Sequence, residues 1–145
     1  MDVERIRGLL LGMPHVAETM QWGANIVFWV GDKSIGGKMF ALINLEPGDR
    51  AVISFCAGQE RYTELLEREG FLPAPYLARA YWVAIERWDV LRPSEWQQEL
   101  TAAHAIVGSK LPKKTRDVLA MPLREQKRII AQRRALLATP KREKS

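Results

Sequence analysis

Two runs of strand-forming residues, Asn25 to Val30 and Lys38 to Leu45, flank a seven-residue stretch, Gly31 to Gly37, that contains three glycines. β-Branched and aromatic side chains suit a pleated surface, and glycines give a turn its backbone freedom, so the segment reads as a β-hairpin. Glu46-Pro47-Gly48-Asp49 is a second turn, leading into a third strand, Ala51 to Cys56. A fourth is expected over Tyr81 to Trp88, with Tyr81, Val83 and Ile85 on one face and Trp82, Ala84 and Glu86 on the other.

Helices are expected around these strands. Asp2 can cap one whose apolar residues Val3, Ile6, Leu9 and Leu10 fall at helical spacing, with Gly12-Met13-Pro14 as its stop. A second covers Gln59 to Glu69, ended by Gly70, with Tyr62, Leu65 and Leu66 inward; a loop with Pro73 and Pro75 follows. Ser94 is positioned to cap a third, carrying Trp96, Leu100, Ala103 and Val107, with Gln97 available to close a capping box. Strands and helices mix without a repeating βαβ rhythm, so the expected class is α+β, one compact domain with an antiparallel sheet flanked by helices. Phe40, Ile53, Phe55, Val83 and Leu100 are expected in its core.

The chain of 145 residues fits one domain, 1–121, with an extension, 122–145. No apolar run approaches the roughly 18 residues of a membrane span, and the start Met1-Asp2-Val3-Glu4-Arg5 lacks the basic-then-apolar order of a signal peptide. A cytoplasmic protein is expected. Cys56, the only cysteine, rules out an intrachain disulfide.

Charge is split by position. Residues 110–145 hold twelve Lys/Arg and three acids, a net of +9, whereas residues 1–109 are −4. Beyond Met121-Pro122, Leu123 to Leu137 predicts a basic amphipathic helix: Leu123, Ile130 and Leu137 recur every seven residues, with Arg124, Lys127, Arg128 and Arg134 largely to one side. Such a helix can dock its apolar stripe on the domain or on a second copy, or serve as a nucleic-acid arm. The last residues, Thr139 to Ser145, are polar and charged and are expected to be disordered.

Several local patterns fail as chemistry. Gly31 to Lys38 looks like a phosphate loop, yet Asp32 stands where the first Gly should and Met39 where Ser/Thr should. Two histidines, His15 and His104, and one cysteine in an apolar strand are too few for a structural zinc site and offer no Cys/His pair. The acids Glu60, Glu64, Glu67 and Glu69 form the wet face of a helix. No catalytic residue, metal or cofactor is nominated.

The ordered motifs Met13-Pro14-His15-Val16-Ala17-Glu18-Thr19, Trp22-Gly23, Phe28-Trp29-Val30, Gly36-Gly37-Lys38-Met39-Phe40-Ala41, Ile53-Ser54-Phe55, Pro73-Ala74-Pro75-Tyr76-Leu77, Trp82-Val83 and Leu111-Pro112-Lys113-Lys114-Thr115-Arg116 resemble those of the MmcQ/YjbR family. The resemblance covers residues 1 to about 116. It implies a compact α+β fold of the YjbR type, similar to the double-wing domain of a phage transcription factor, in a bacterial family commonly described as DNA-binding. It also singles out Lys38, Trp82, Lys113 and Lys114. Where the family often has Ser-Tyr, this chain has Ala103-His104, and its basic extension runs beyond the usual family length.

The expected function is non-enzymatic DNA binding, with the hairpin as a wing and the basic C-terminal region on the phosphates. The nominated contacts are Lys33, Lys38, Lys113, Lys114, Arg116, Arg124, Lys127, Arg128, Arg133 and Arg134, with Trp22 and Trp82 as stacking surfaces; a strand tryptophan is otherwise a core residue. The alternative is a protein- or small-ligand-binding module whose C-terminal helix packs on the domain or across a dimer. A monomer or weak dimer is expected, with no membrane partner.

Overall fold

The computed structural model describes residues 1–48 and 50–138. Asp49 and the expected disordered end, Thr139 to Ser145, lie outside them. Helix α1 spans Val3–Leu11. The Asp2 carboxylate accepts from the Arg5 N–H at 2.9 Å, satisfying one orphan donor of the first turn, and Gly12 ends the helix. Strand β1, Val16–Gln21, then pairs antiparallel with β2, Asn25–Val30. No strand was expected over Val16–Gln21: it lies at the sheet edge and is half-buried, so its side chains form no apolar run.

The expected hairpin is present, with β3 at Lys38–Asn44. Its tip is a 3₁₀ turn, Lys33–Ile35, capped by Asp32, which accepts from the Ser34 N–H at 2.9 Å and the Ser34 hydroxyl at 2.6 Å. A Cβ at Gly37 would stand 1.9 Å from the Gly31 carbonyl oxygen, so only glycine lets the two legs of the tip close. A bulge between Phe28 and Trp29 pairs Phe28 with Ala41 and Trp29 with Met39, leaving Phe40 without an opposite residue.

Strand β4, Ile53–Cys56, starts two residues later than expected, and helix α2, Gln59–Leu66, ends three residues earlier. The Pro73 loop contains a further short strand, β5, Phe71–Pro73. Strand β6 is only Trp82–Ile85, preceded by Tyr81 at φ 62°. Helix α3, Pro93–Ser109, begins at Pro93, so Ser94 lies inside it and Arg92 is the cap; the Glu95 carboxylate accepts from the Arg92 N–H at 3.1 Å. Helix α4, Lys113–Leu119, was not foreseen, and α5, Leu123–Ala138, was.

The strand order is β1-β2-β3-β4-β6-β5, antiparallel at every pairing, which makes the fold α+β. Register sorts the sheet into two faces. Phe28, Ala41, Ile43, Ile53, Phe55, Val83 and Ile85 point to one, where they pack with Ile6 and Leu10 of α1 and Trp96, Leu100, Ala103 and Val107 of α3. All five expected core residues are buried. Each fully buried side chain of this size contributes about 1.5–3 kcal/mol, so this face dominates stability. Arg61 of α2 places Nη1 2.7 and 2.6 Å from the two oxygens of buried Glu99, tying α2 to α3. His104 sets its ring edge-on to Phe40 at 5.3 Å and donates from Nε2 to the Pro14 carbonyl at 2.8 Å, so the Ala103-His104 pair has a polar contact of its own.

Candidate functional site

The first candidate is the basic end. Thr115 of α4 is 1% exposed, and its hydroxyl donates to the Ile35 carbonyl at 2.7 Å, seating α4 on the hairpin tip. A Cβ at Gly36 would fall 2.5 Å from that hydroxyl oxygen, so the glycine also makes room for the helix. Gln126 of α5 donates to the Leu119 and Met121 carbonyls at 3.1 and 2.8 Å and fixes the α4–α5 corner. At the far end of α5, Arg134 pairs with the Asp32 carboxylate. Burial works to raise the Asp32 pKa, but hydrogen bonds from Arg134 and Ser34 outweigh it and hold the carboxyl below its ordinary value.

These contacts place Lys33 and α4 and α5 at one end of the molecule, with Lys38 at the start of β3 beside the tip. All ten nominated cations are exposed. Lys113 pairs with Asp117 and Arg128 with Glu125, both at 2.9 Å, and Lys33 sits 5.6 Å above the Trp29 ring. Lys38, Lys114, Arg116, Arg124, Lys127 and Arg133 have no acidic partner within salt-bridge distance among the described residues. The heptad stripe of α5 is mostly uncovered: Leu123 is 64% and Leu137 72% exposed, and only Ile130 is half-buried.

The second candidate lies on the sheet face opposite α1 and α3. The segment around Leu77 approaches that face, leaving an open cleft of about 720 Å³ lined by Met39, Leu42, Asn44 and Ser54 of the sheet, with Trp22 and Tyr76. A shallower hollow of about 430 Å³ continues past Met39 toward Lys38 and Trp82. Trp22 is 63% exposed and Tyr76 fully so, and both hold left-handed backbone, φ 50° and 65°. Trp82, the other expected stacking surface, is 4% exposed and fills a core position instead. Trp29 is also buried, donating from Nε1 to the Thr19 hydroxyl at 2.9 Å. Burial pushes the Cys56 thiol pKa up, which disfavours the thiolate.

The family model described as YjbR matches residues 11–106. The chain belongs to the YjbR family. A crystal structure of the Deinococcus radiodurans protein DR2400, with a DUF419 domain, is similar in fold: TM-score 0.70 at 24% identity, over 82% of this chain and 88% of that one. A search of curated proteins finds no match. The YjbR match contains the whole six-stranded sheet and stops inside α3, before α4 and α5. Within the YjbR fold, Gly36-Gly37-Lys38 closes the hairpin tip, and Leu111-Pro112-Lys113-Lys114 leads into α4. No helix among the described residues is long and apolar enough to cross a membrane.

Sequence reasoning nominated Trp22 but missed the cleft around it. Asn25, Asn44, Arg50 and Tyr76 come from four separate segments, and only sheet register and the loop path bring them together. The positive-φ aromatic at position 76 follows Pro75, the one local sign that the chain turns there.

Proposed function

We propose that this YjbR-family protein is a non-enzymatic, cytoplasmic DNA-binding protein that grips the phosphate backbone with its basic end. The observation that carries the reading is the folding of α4 and α5 onto the hairpin tip, which gathers exposed cations from residues 33 to 134 on one end of a chain whose first 109 residues are −4. Helix α5 has 16 residues, a length of about 24 Å, enough to pass several phosphates spaced along a groove wall. Lys38, Lys114, Arg116, Arg124, Lys127 and Arg133 supply the contacts. Arg134 serves first to hold the helix through Asp32. Phosphate contacts hold no base information, so binding is non-specific in sequence.

The test is an anisotropy titration of labelled duplex, single-stranded DNA and RNA against the full chain and a chain ending at Met121, across a salt series. For every phosphate that the shorter chain no longer neutralises, the slope of log affinity against log salt should fall by about 0.9 on duplex. Equal affinity and equal slope for the two chains would overturn the reading. The open cleft favours a second reading, a small-ligand-binding module in which α4 and α5 are packing alone, with Leu136 and Leu137 as the surface a second copy would cover.

A further inference from the structure

The cleft on the open sheet face is lined by none of the cations of α4 and α5, and nothing in the phosphate-binding reading uses it. Its volume, about 720 Å³, lies inside the roughly 300–1,000 Å³ of small-molecule sites. Its lining combines apolar floor, exposed aromatic rings and a few polar groups.

Trp22 and Tyr76 carry the first part of the argument. A bulky residue in left-handed backbone is strained, and a side chain buried in the core can return that cost. These two are exposed, so the fold recovers little from their rings. Their placement holds two aromatic surfaces at a cleft that is otherwise apolar at its floor.

Asn25 and Asn44 carry the second part. They are register partners across β2 and β3, and both line the cleft. Asn25 donates from Nδ2 to the Trp22 carbonyl at 2.8 Å, and a carbonyl can only accept, so the amide orientation is fixed and Oδ1 is left to accept from a ligand. Asn44 accepts at Oδ1 from the Glu46 N–H at 3.1 Å, which can only donate, so its NH₂ is left to donate. An acceptor and a donor therefore stand on neighbouring strands, at directly opposed positions. Charge adds the third part: among the described residues the lining holds one acid, Glu46, and one cation, Arg50, so no charge of one sign dominates it.

We propose that this cleft binds a flat, uncharged heterocycle bearing a hydrogen-bond donor and acceptor side by side on one edge, as a nucleobase does. The donor of the ring meets Asn25 Oδ1, its acceptor meets the Asn44 amide, and Trp22 and Tyr76 supply the stacking surface. The ring can come from a free nucleoside or from a base splayed out of a single strand; the recognition chemistry is the same.

The experiment is a two-dimensional NMR titration of the full chain with uridine, adenosine, 3-methyluridine and a short oligouridylate, each at low and high salt. Uridine or adenosine should shift the side-chain amide signals of Asn25 and Asn44 and the indole signal of Trp22, saturably, with affinity changing by less than about twofold between the salts. The 3-methyl ring keeps its stacking surface and loses the donor, and should bind about tenfold more weakly than uridine. Tyr76→Ala, at a fully exposed position, should weaken uridine binding while leaving the rest of the spectrum in place. Shifts with oligouridylate alone support the same site and assign the strand as the source of the ring. The proposal is overturned if no nucleoside or oligonucleotide moves these signals, or if 3-methyluridine binds as well as uridine. The full chain with Arg124→Gln, Lys127→Gln and Arg133→Gln separates the two readings: it should weaken in salt-dependent duplex binding and keep the uridine shifts.

Discussion

The sheet body and the C-terminal end are held by different forces. Residues 1–109 carry −4 and close over a continuous apolar core in which Phe28, Phe40, Phe55, Trp96 and Leu100 are wholly buried. Residues 110–145 carry +9, and α4 and α5 are fastened by Leu119, which packs against the core, together with a few directed polar contacts: Thr115 to Ile35, Gln126 to the α4–α5 corner, Arg134 to Asp32. Of these contacts only the Arg134–Asp32 pair is charged, so it alone responds to acid and to ionic strength, whereas the burial of apolar side chains involves no group that titrates. One chain thus joins a rigid frame to an end whose grip can be tuned without touching the frame.

The largest expected effect lies in the frame. Phe55→Ala removes a wholly buried ring and should cost about 3–5 kcal/mol, read as a fall in the urea midpoint of the entire protein. Survival of the body with α5 alone melted would break the comparison. Gly37→Ala comes next, because its Cβ would meet the Gly31 carbonyl oxygen, a backbone atom that cannot swing away. A loss of roughly 1–3 kcal/mol is expected, with hydrogen exchange rising at the hairpin tip and in α4 together.

Asp32→Asn should leave the urea midpoint within about 1 kcal/mol, since Arg134 is largely exposed, while amide exchange in α5 accelerates. Acid should act the same way on the unmodified protein. The folded Asp32 pKa is depressed, so its contribution is fully present above the ordinary carboxylate value of about 3.9 and is lost as pH falls through the lower folded value. A pH series of α5 exchange rates checks the sign: protection that increases on acidification would contradict it. The smallest effect is Tyr76→Gly, which relieves a φ of 65° at a fully exposed residue and should stabilise by less than about 1 kcal/mol in the same denaturation assay.

What the amino acids announced tracks how local each element's cause is. The bounds of β2 and the cap and stop of α1 were legible because β-branched runs, Asp2 and Gly12 act within a few residues. The buried stripe of α3 was legible as well, although Pro93 displaced Ser94 as the start. Strand β1 was hidden by its edge position, β5 by its three-residue length and Pro73, and α4 by having Thr115 as its one buried side chain. The Arg134–Asp32 pair spans 102 residues, and no periodicity along α5 could point to it. The basic cluster was readable as composition; its gathering on the hairpin tip was not.

The strand order has a consequence for synthesis. β6 lies between β4 and β5, so the chain lays down β4 at Ile53–Cys56 well before Trp82–Ile85 exists to pair with it. During translation the nascent meander β1-β2-β3-β4 ends in an unzipped edge whose four residues are all buried in the finished protein. At about 5–20 residues per second that edge stays open for one to several seconds, and longer while the ribosome still shields β6. A pause in translation after β4 has emerged and before β6 has done so would prolong this interval.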